Sequence, residues 1–134
     1  MSEGREVLVV DDDPAVREAL EHVLHRAGYA VRVVSGAAQA MVEYRDRRPA
    51  LVITDVVMPG IDGVALIRAL RAEFPSARII AVSGGGRVAE YLPHAISTSS
   101  FLKAAEQAGA DLTITKPFER RELFAALDRL LVLH

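Results

Sequence analysis

Apolar positions fall along this chain in two alternating patterns. Short unbroken runs such as Val7-Leu8-Val9-Val10 and Leu51-Val52-Ile53-Thr54 have the character of strands buried on both faces. Between them lie longer segments that are apolar at every third or fourth position. Val16, Ala19, Leu20, Val23, Leu24 and Ala27 form such a stripe, opened by Asp13 as N-cap with Pro14 at the first helical position and stopped by Gly28. Ala30 to Val34 predicts a second strand, and Ala37 to Arg48 a second helix closed by Pro49. After the third strand, Met58-Pro59-Gly60 reads as a turn. Asp62 then caps a helix carrying Val64, Ile67, Leu70 and Phe74, ended by Pro75. Arg78 to Val82 and Leu112 to Ile114 predict strands four and five. Phe101 to Ala108 predicts a fourth helix and Glu119 to Leu133 the last.

Strands alternating with helices favour a parallel sheet covered on both sides and joined by right-handed crossovers. Five units suit an α/β, flavodoxin-like doubly wound sheet of order 2-1-3-4-5. With 134 residues the chain has the length of one domain, and no segment after the fifth helix is expected to form an output domain.

Composition narrows the function classes. The absence of cysteine removes disulfides, thiolate zinc sites and cysteine nucleophiles. No apolar run approaches a membrane span, and the polar start lacks a signal peptide's pattern, so a cytoplasmic protein without membrane attachment is expected. A net charge of −2 speaks against a nucleic-acid binder held by charge alone. Of 16 basic residues only Lys103 and Lys116 are lysine, so a lysine here needs its own reason.

In an open α/β sheet, functional groups collect beyond the carboxyl ends of the strands. Those ends carry Asp11-Asp12-Asp13, Asp55, Ser83 and Lys116. Asp13 has a sufficient explanation as an N-cap and is left out of the site. The remaining three carboxylates and one ammonium sum to −2, which one divalent cation cancels. Carboxylate oxygens without His or Cys select Mg²⁺ or a similar hard ion. A cation, a lysine and a hydroxyl around a carboxylate make a place for phosphoryl transfer onto that carboxylate. Gly84-Gly85-Gly86 lacks P-loop spacing and reads as a hinge. His22 and His25 read as solvated helix surface, Arg45 to Arg48 as a solvated helix end, and Leu130 to Leu133 mainly as core. His94 and His134 suggest no chemistry.

Four segments together carry a family resemblance. Val7 to Asp13, Leu51 to Gly63, Ala81-Val82-Ser83 and Thr115-Lys116-Pro117-Phe118 resemble a response-regulator receiver domain of bacterial two-component signalling, in order and over nearly the whole chain. The resemblance implies that Asp55 is the phosphoacceptor. It implies that Asp12 binds Mg²⁺ directly, Asp11 mainly through water, and Val57 through its backbone carbonyl. Ser83 and Lys116 would contact the phosphoryl group, with a cis bond at Lys116-Pro117. The implied partners are a sensor histidine kinase or a histidine phosphotransfer protein, with an unidentified protein downstream. The chain would be a monomer or a weak homodimer through its fourth and fifth helices.

Three departures bear on output. Thr113 stands where receivers usually carry Tyr or Phe. The stretch between Ser83 and Lys116 is about ten residues longer than usual, a length typical of functional or disordered loops. Val57 and Gly85 stand where polar side chains often hold the hydrolytic water, so a long-lived phosphoryl group is expected. Output is therefore expected to run through ordering of Gly84 to Ser100, with Tyr91 or Phe101 replacing the missing aromatic contact. Two other functions compete: a receiver-like scaffold indifferent to phosphorylation, and a haloacid dehalogenase-type phosphatase. In the latter Ala15 misses the expected residue and Asp55 has no role.

Overall fold

The computed structural model describes residues 5–58, 61–84, 98–116 and 118–131. Five strands form one parallel sheet: β1 (Glu6–Val10), β2 (Ala30–Val34), β3 (Leu51–Asp55), β4 (Ile79–Gly84) and β5 (Leu112–Lys116). Their spatial order is 2-1-3-4-5, as the alternation of runs and stripes predicts. The helices are α1 (Pro14–Arg26), α2 (Ala37–Arg47), α3 (Gly63–Glu73), α4 (Thr98–Ala108) and α5 (Arg120–Leu131).

The apolar runs are continuous because both faces of the inner strands are covered. Leu8, Val10, Val52, Ile79 and Ala81 face one layer with Ile67 and Leu70 of α3 and Ala105 of α4. Val7, Val9, Leu51, Ile53, Ile80 and Val82 face the other layer with Leu20 and Leu24 of α1 and Leu123 and Leu127 of α5. Alternate residues of one strand thus feed two cores, each fully buried aliphatic side chain contributing about 1.5–3 kcal/mol before ordering costs. Strand β2 lies at an edge and is only partly covered.

The boundaries differ from the sequence expectation in a consistent direction. The third, fourth and fifth strands run on through Asp55, Gly84 and Lys116. Each extension continues a ladder with a neighbour, pairing Asp55 with Val82, Ser83 with Thr115, and Gly84 with Lys116. A single strand's pattern cannot reveal where its neighbour stops. Helix α4 starts at Thr98, three residues early, so Thr98 to Ser100 belong to a helix rather than to the extended stretch. Helix α5 ends at Leu131 among the described residues. Around Met58 the expected turn is flanked by a two-residue antiparallel ladder, Val57–Met58 with Ile61–Asp62.

Asp13 caps α1 as expected, its carboxylate accepting from the Ala15 N–H at 3.0 Å, and Pro14 opens the helix. The stripe on α1 is narrower than its sequence suggests: Leu20 and Leu24 are buried, whereas Ala19 and Ala27 are exposed. The arginines at the end of α2 are exposed, yet they are not merely solvated. Arg45 chelates Glu73 at 2.7 and 2.9 Å, Arg47 contacts Glu6, and Arg48 stacks on Phe74.

Candidate phosphoacceptor and metal site

Because all five strands are parallel, their carboxyl ends share one edge, and the polar residues predicted there meet. Asp11 follows β1, and its N–H donates to the Val34 carbonyl at 3.2 Å. Asp55 is the last residue of β3, and Lys116 the last of β5. Carboxylate oxygens of Asp11, Asp12 and Asp55 all lie within 4.8 Å of one another. The Lys116 ammonium donates to Asp11 Oδ2 at 3.2 Å and to Asp55 Oδ2 at 3.5 Å.

Asp11 and Asp55 are almost wholly buried, at 3% and 7% exposure. Two like charges about 4 Å apart repel by roughly 4 kcal/mol at an effective dielectric near 20, so such a cluster needs a counter-charge. Lys116 supplies part of it. Three carboxylates against one ammonium still leave a formal −2. The donor set is oxygen only and partly exposed at Asp12, and it fits a small hard cation that keeps waters among its ligands. Asp11 has both carboxylate oxygens engaged, Oδ1 by the Asp13 N–H at 2.9 Å and Oδ2 by Lys116.

Ser83 lies on β4 one residue beyond the partner of Asp55, paired with Thr115, so its backbone stands at the same edge. Val57 follows β3 in the short antiparallel ladder. Thr113, where an aromatic residue is usual, is partly buried in β5 opposite Ala81. Gly84 closes β4 opposite Lys116. Phe101 is within α4. Gly85, Gly86, Tyr91 and Pro117 lie outside the described residues, as does nearly all of the stretch expected to carry output.

One residue of the site was quoted in a motif without a role. Gly63 opens α3, and its N–H donates to the Val56 carbonyl at 3.0 Å. A Cβ there would press on the Asp55 carbonyl oxygen and stand 2.7 Å from Val56 Cα. A side chain at this position is therefore incompatible with the close approach of α3 to Asp55 and Val56. The signal in the sequence is a glycine at the start of an otherwise strong helix pattern, where alanine would serve the helix better.

The family model for the response regulator receiver domain matches residues 7–128. The chain belongs to this family. Among its relatives, the response regulator MprA of Mycobacterium sp. (strain KMS) is 35% identical over 125 residues, covering 93% of this chain and 50% of the relative. The DNA-binding response regulator MtrA of Mycolicibacterium smegmatis is 34% identical over 119 residues, covering 89% and 47%. The receiver thus spans about half the length of the curated relatives it matches. Among solved structures, a putative response regulator from Chloroflexus aurantiacus superposes with a TM-score of 0.79 at 32% identity, covering 96% of this chain and 98% of that one. The receiver domain of NtrX from Brucella abortus gives 0.81 at 28% identity, covering 96% and 99%.

The receiver is the phosphoryl-accepting signalling module of two-component systems, and the acidic edge of this one suits Mg²⁺. Beside that edge an apolar groove of about 640 Å³ runs between α1 and α5, lined by Val16, Ala19, Leu20, Phe118 and Leu123 and ending at Lys116. The exposed Ala19 belongs to this groove. No helix among the described residues is long and apolar enough to cross a membrane.

Proposed function

We propose that this receiver takes a phosphoryl group onto Asp55 from a phosphohistidine of a sensor histidine kinase or a histidine phosphotransfer protein. The observation that carries the reading is the convergence of Asp11, Asp12, Asp55 and Lys116 at one sheet edge. An Asp55 carboxylate oxygen attacks the phosphorus in line, an acyl-phosphate bond forms, the P–N bond breaks with its electrons going to nitrogen, and the imidazole leaves neutral, keeping the proton already on its other ring nitrogen. Lys116, already within 3.5 Å of Asp55, stays paired to the incoming phosphoryl oxygens, and Ser83, whose backbone stands at the same edge, is the hydroxyl we assign to them. Following the family resemblance, Asp12 would hold Mg²⁺ directly and Asp11 through water, their carboxylates lying within reach of that of Asp55. An ion held there would supply the charge that neutralises the cluster and the phosphoryl oxygens. Val57 adds its backbone carbonyl.

The groove between α1 and α5 supports docking of a helical donor beside Lys116, because an apolar helix face fits an apolar channel. We place the receiver in the cytoplasm, where a histidine kinase draws its phosphoryl group from ATP. The test is incubation with Mg²⁺ and a small phosphodonor, read by intact mass. Wild type should gain one phosphoryl group, and Asp55→Asn none. Full labelling of Asp55→Asn would move the acceptor elsewhere.

A further inference from the structure

Arg17 is the fourth residue of α1, and nothing in the transfer step uses it. A cation in the first turn opposes the positive end of the helix dipole, so its presence there calls for a compensating contact. The contact is local: Nη1 of Arg17 donates to the Asp11 carbonyl oxygen at 2.8 Å. That carbonyl belongs to the peptide joining Asp11 to Asp12. The rest of the turn is tied on every side. The Asp11 N–H is bound to the sheet through Val34, its Oδ1 to the Asp13 N–H, and its Oδ2 to Lys116. Among the described residues, Arg17 supplies the side-chain tie on the one remaining polar group of Asp11.

We propose that Arg17 is a positioning residue for Asp12. By holding the Asp11 carbonyl it fixes the peptide plane from which Asp12 departs, and so keeps the Asp12 carboxylate within reach of those of Asp11 and Asp55. The proposal rests on the reading of Asp12 as a Mg²⁺ ligand, and its sign is distinctive. If Arg17 acted only through its charge, removing it from beside an acidic cluster would tighten Mg²⁺ binding, because a competing cation is gone. If it positions Asp12, removing it weakens binding.

Arg17→Met keeps the aliphatic stem and helix propensity while deleting the donor, and Arg17→Lys restores a cationic donor of nearly the same length. Calorimetric Mg²⁺ titration should show the dissociation constant of Arg17→Met raised about tenfold, the lower end of what losing an outer-shell partner costs a metal site. Arg17→Lys should return most of that loss. In metal-free protein, amide exchange at Asp12 and Asp13 should quicken in Arg17→Met, with the sheet amides unchanged. Phosphorylation of Asp55 in that variant should recover at saturating Mg²⁺. A purely structural defect would instead lower protection throughout and leave the affinity of the folded fraction unmoved. Unchanged or tighter Mg²⁺ binding in Arg17→Met, beside lost binding in Asp12→Ala, overturns the role of Arg17 alone. Wild-type affinity in Asp12→Ala overturns the ligand reading and the purpose assigned to Arg17 with it.

Discussion

Substituting Gly63 with alanine sets two physical effects against each other. Helix propensity alone predicts a gain, since alanine is favoured over glycine in a helix by up to about 1 kcal/mol. The structure predicts a loss. The added methyl would stand 2.7 Å from Val56 Cα and 2.8 Å from the Val56 carbonyl oxygen, besides pressing on the Asp55 carbonyl. All three are backbone atoms of the acceptor strand's end, and none can turn aside as a side-chain tip can. The start of α3 must withdraw, weakening the 3.0 Å hydrogen bond from Gly63 to Val56. Overpacking against an unyielding wall costs about 3 kcal/mol, which leaves a net loss of about 2 kcal/mol after the propensity gain. With a urea slope of roughly 1.5 kcal/mol per molar, the unfolding midpoint should fall by about 1 M. Because the displaced atoms adjoin Asp55, phosphorylation by a small donor should also slow under conditions where the variant is fully folded. A midpoint equal to or above wild type would refute the argument, since propensity would then outweigh contact.

Lys116→Met should destabilise the metal-free protein by about 3 kcal/mol, because two nearly buried carboxylates lose their cation. Most of that loss should return in Mg²⁺, whose affinity should rise about tenfold with the competing ammonium gone; urea melts with and without the ion measure both. Arg71→Ala should cost about 2–3 kcal/mol, since the guanidinium donates to the carbonyls of Gly109, Pro75 and Ala77 and to Asp111, while leaving phosphorylation of Asp55 intact. The chelating hydrogen bonds from Arg45 hold the Glu73 carboxyl below its ordinary value of 4.5. Its stabilising contribution is therefore fully present above that value and is lost as pH falls through the lower folded-state value. The gap in urea midpoint between wild type and Glu73→Gln should narrow as pH falls below the ordinary carboxylate value, and a gap that does not narrow with acidification would contradict the assignment.

The order of elements and the membership of both cores were legible because doubly covered strands read as unbroken aliphatic runs. The acidic edge was legible for a topological reason. Once five strands are parallel, residues that follow them in sequence must share one edge, so Asp11, Asp12, Asp55 and Lys116 could be placed together before any distance was known. What escaped depends on backbone meeting backbone or on pairs far apart in sequence. Gly63 matters through the Val56 backbone, Arg17 through a carbonyl six residues earlier, and Arg45 through Glu73 on another helix. None of these leaves a periodic trace. Strand ends escaped for a related reason, since a ladder stops where its neighbour does.

The two ends of the sheet are held by opposite means, and that division suits a signalling module. At the amino ends of β4 and β5, Arg71 and Asp111 join α3, the α4–β5 turn and the Ile79 N–H through neutral carbonyls and one ion pair. Those contacts do not change when a charge is added elsewhere. At the carboxyl ends, among the described residues, one ammonium is shared by two nearly buried carboxylates. On the proposed function, a phosphoryl group on Asp55 would compete with Asp11 for that ammonium. Gly84 and Lys116 form the last rung of the ladder between β4 and β5, and Ser83 with Thr115 the rung before it. The neutral clamp and the charged edge thus lie at opposite ends of β4 and β5, so a charge added at one end would act on contacts separate from those at the other.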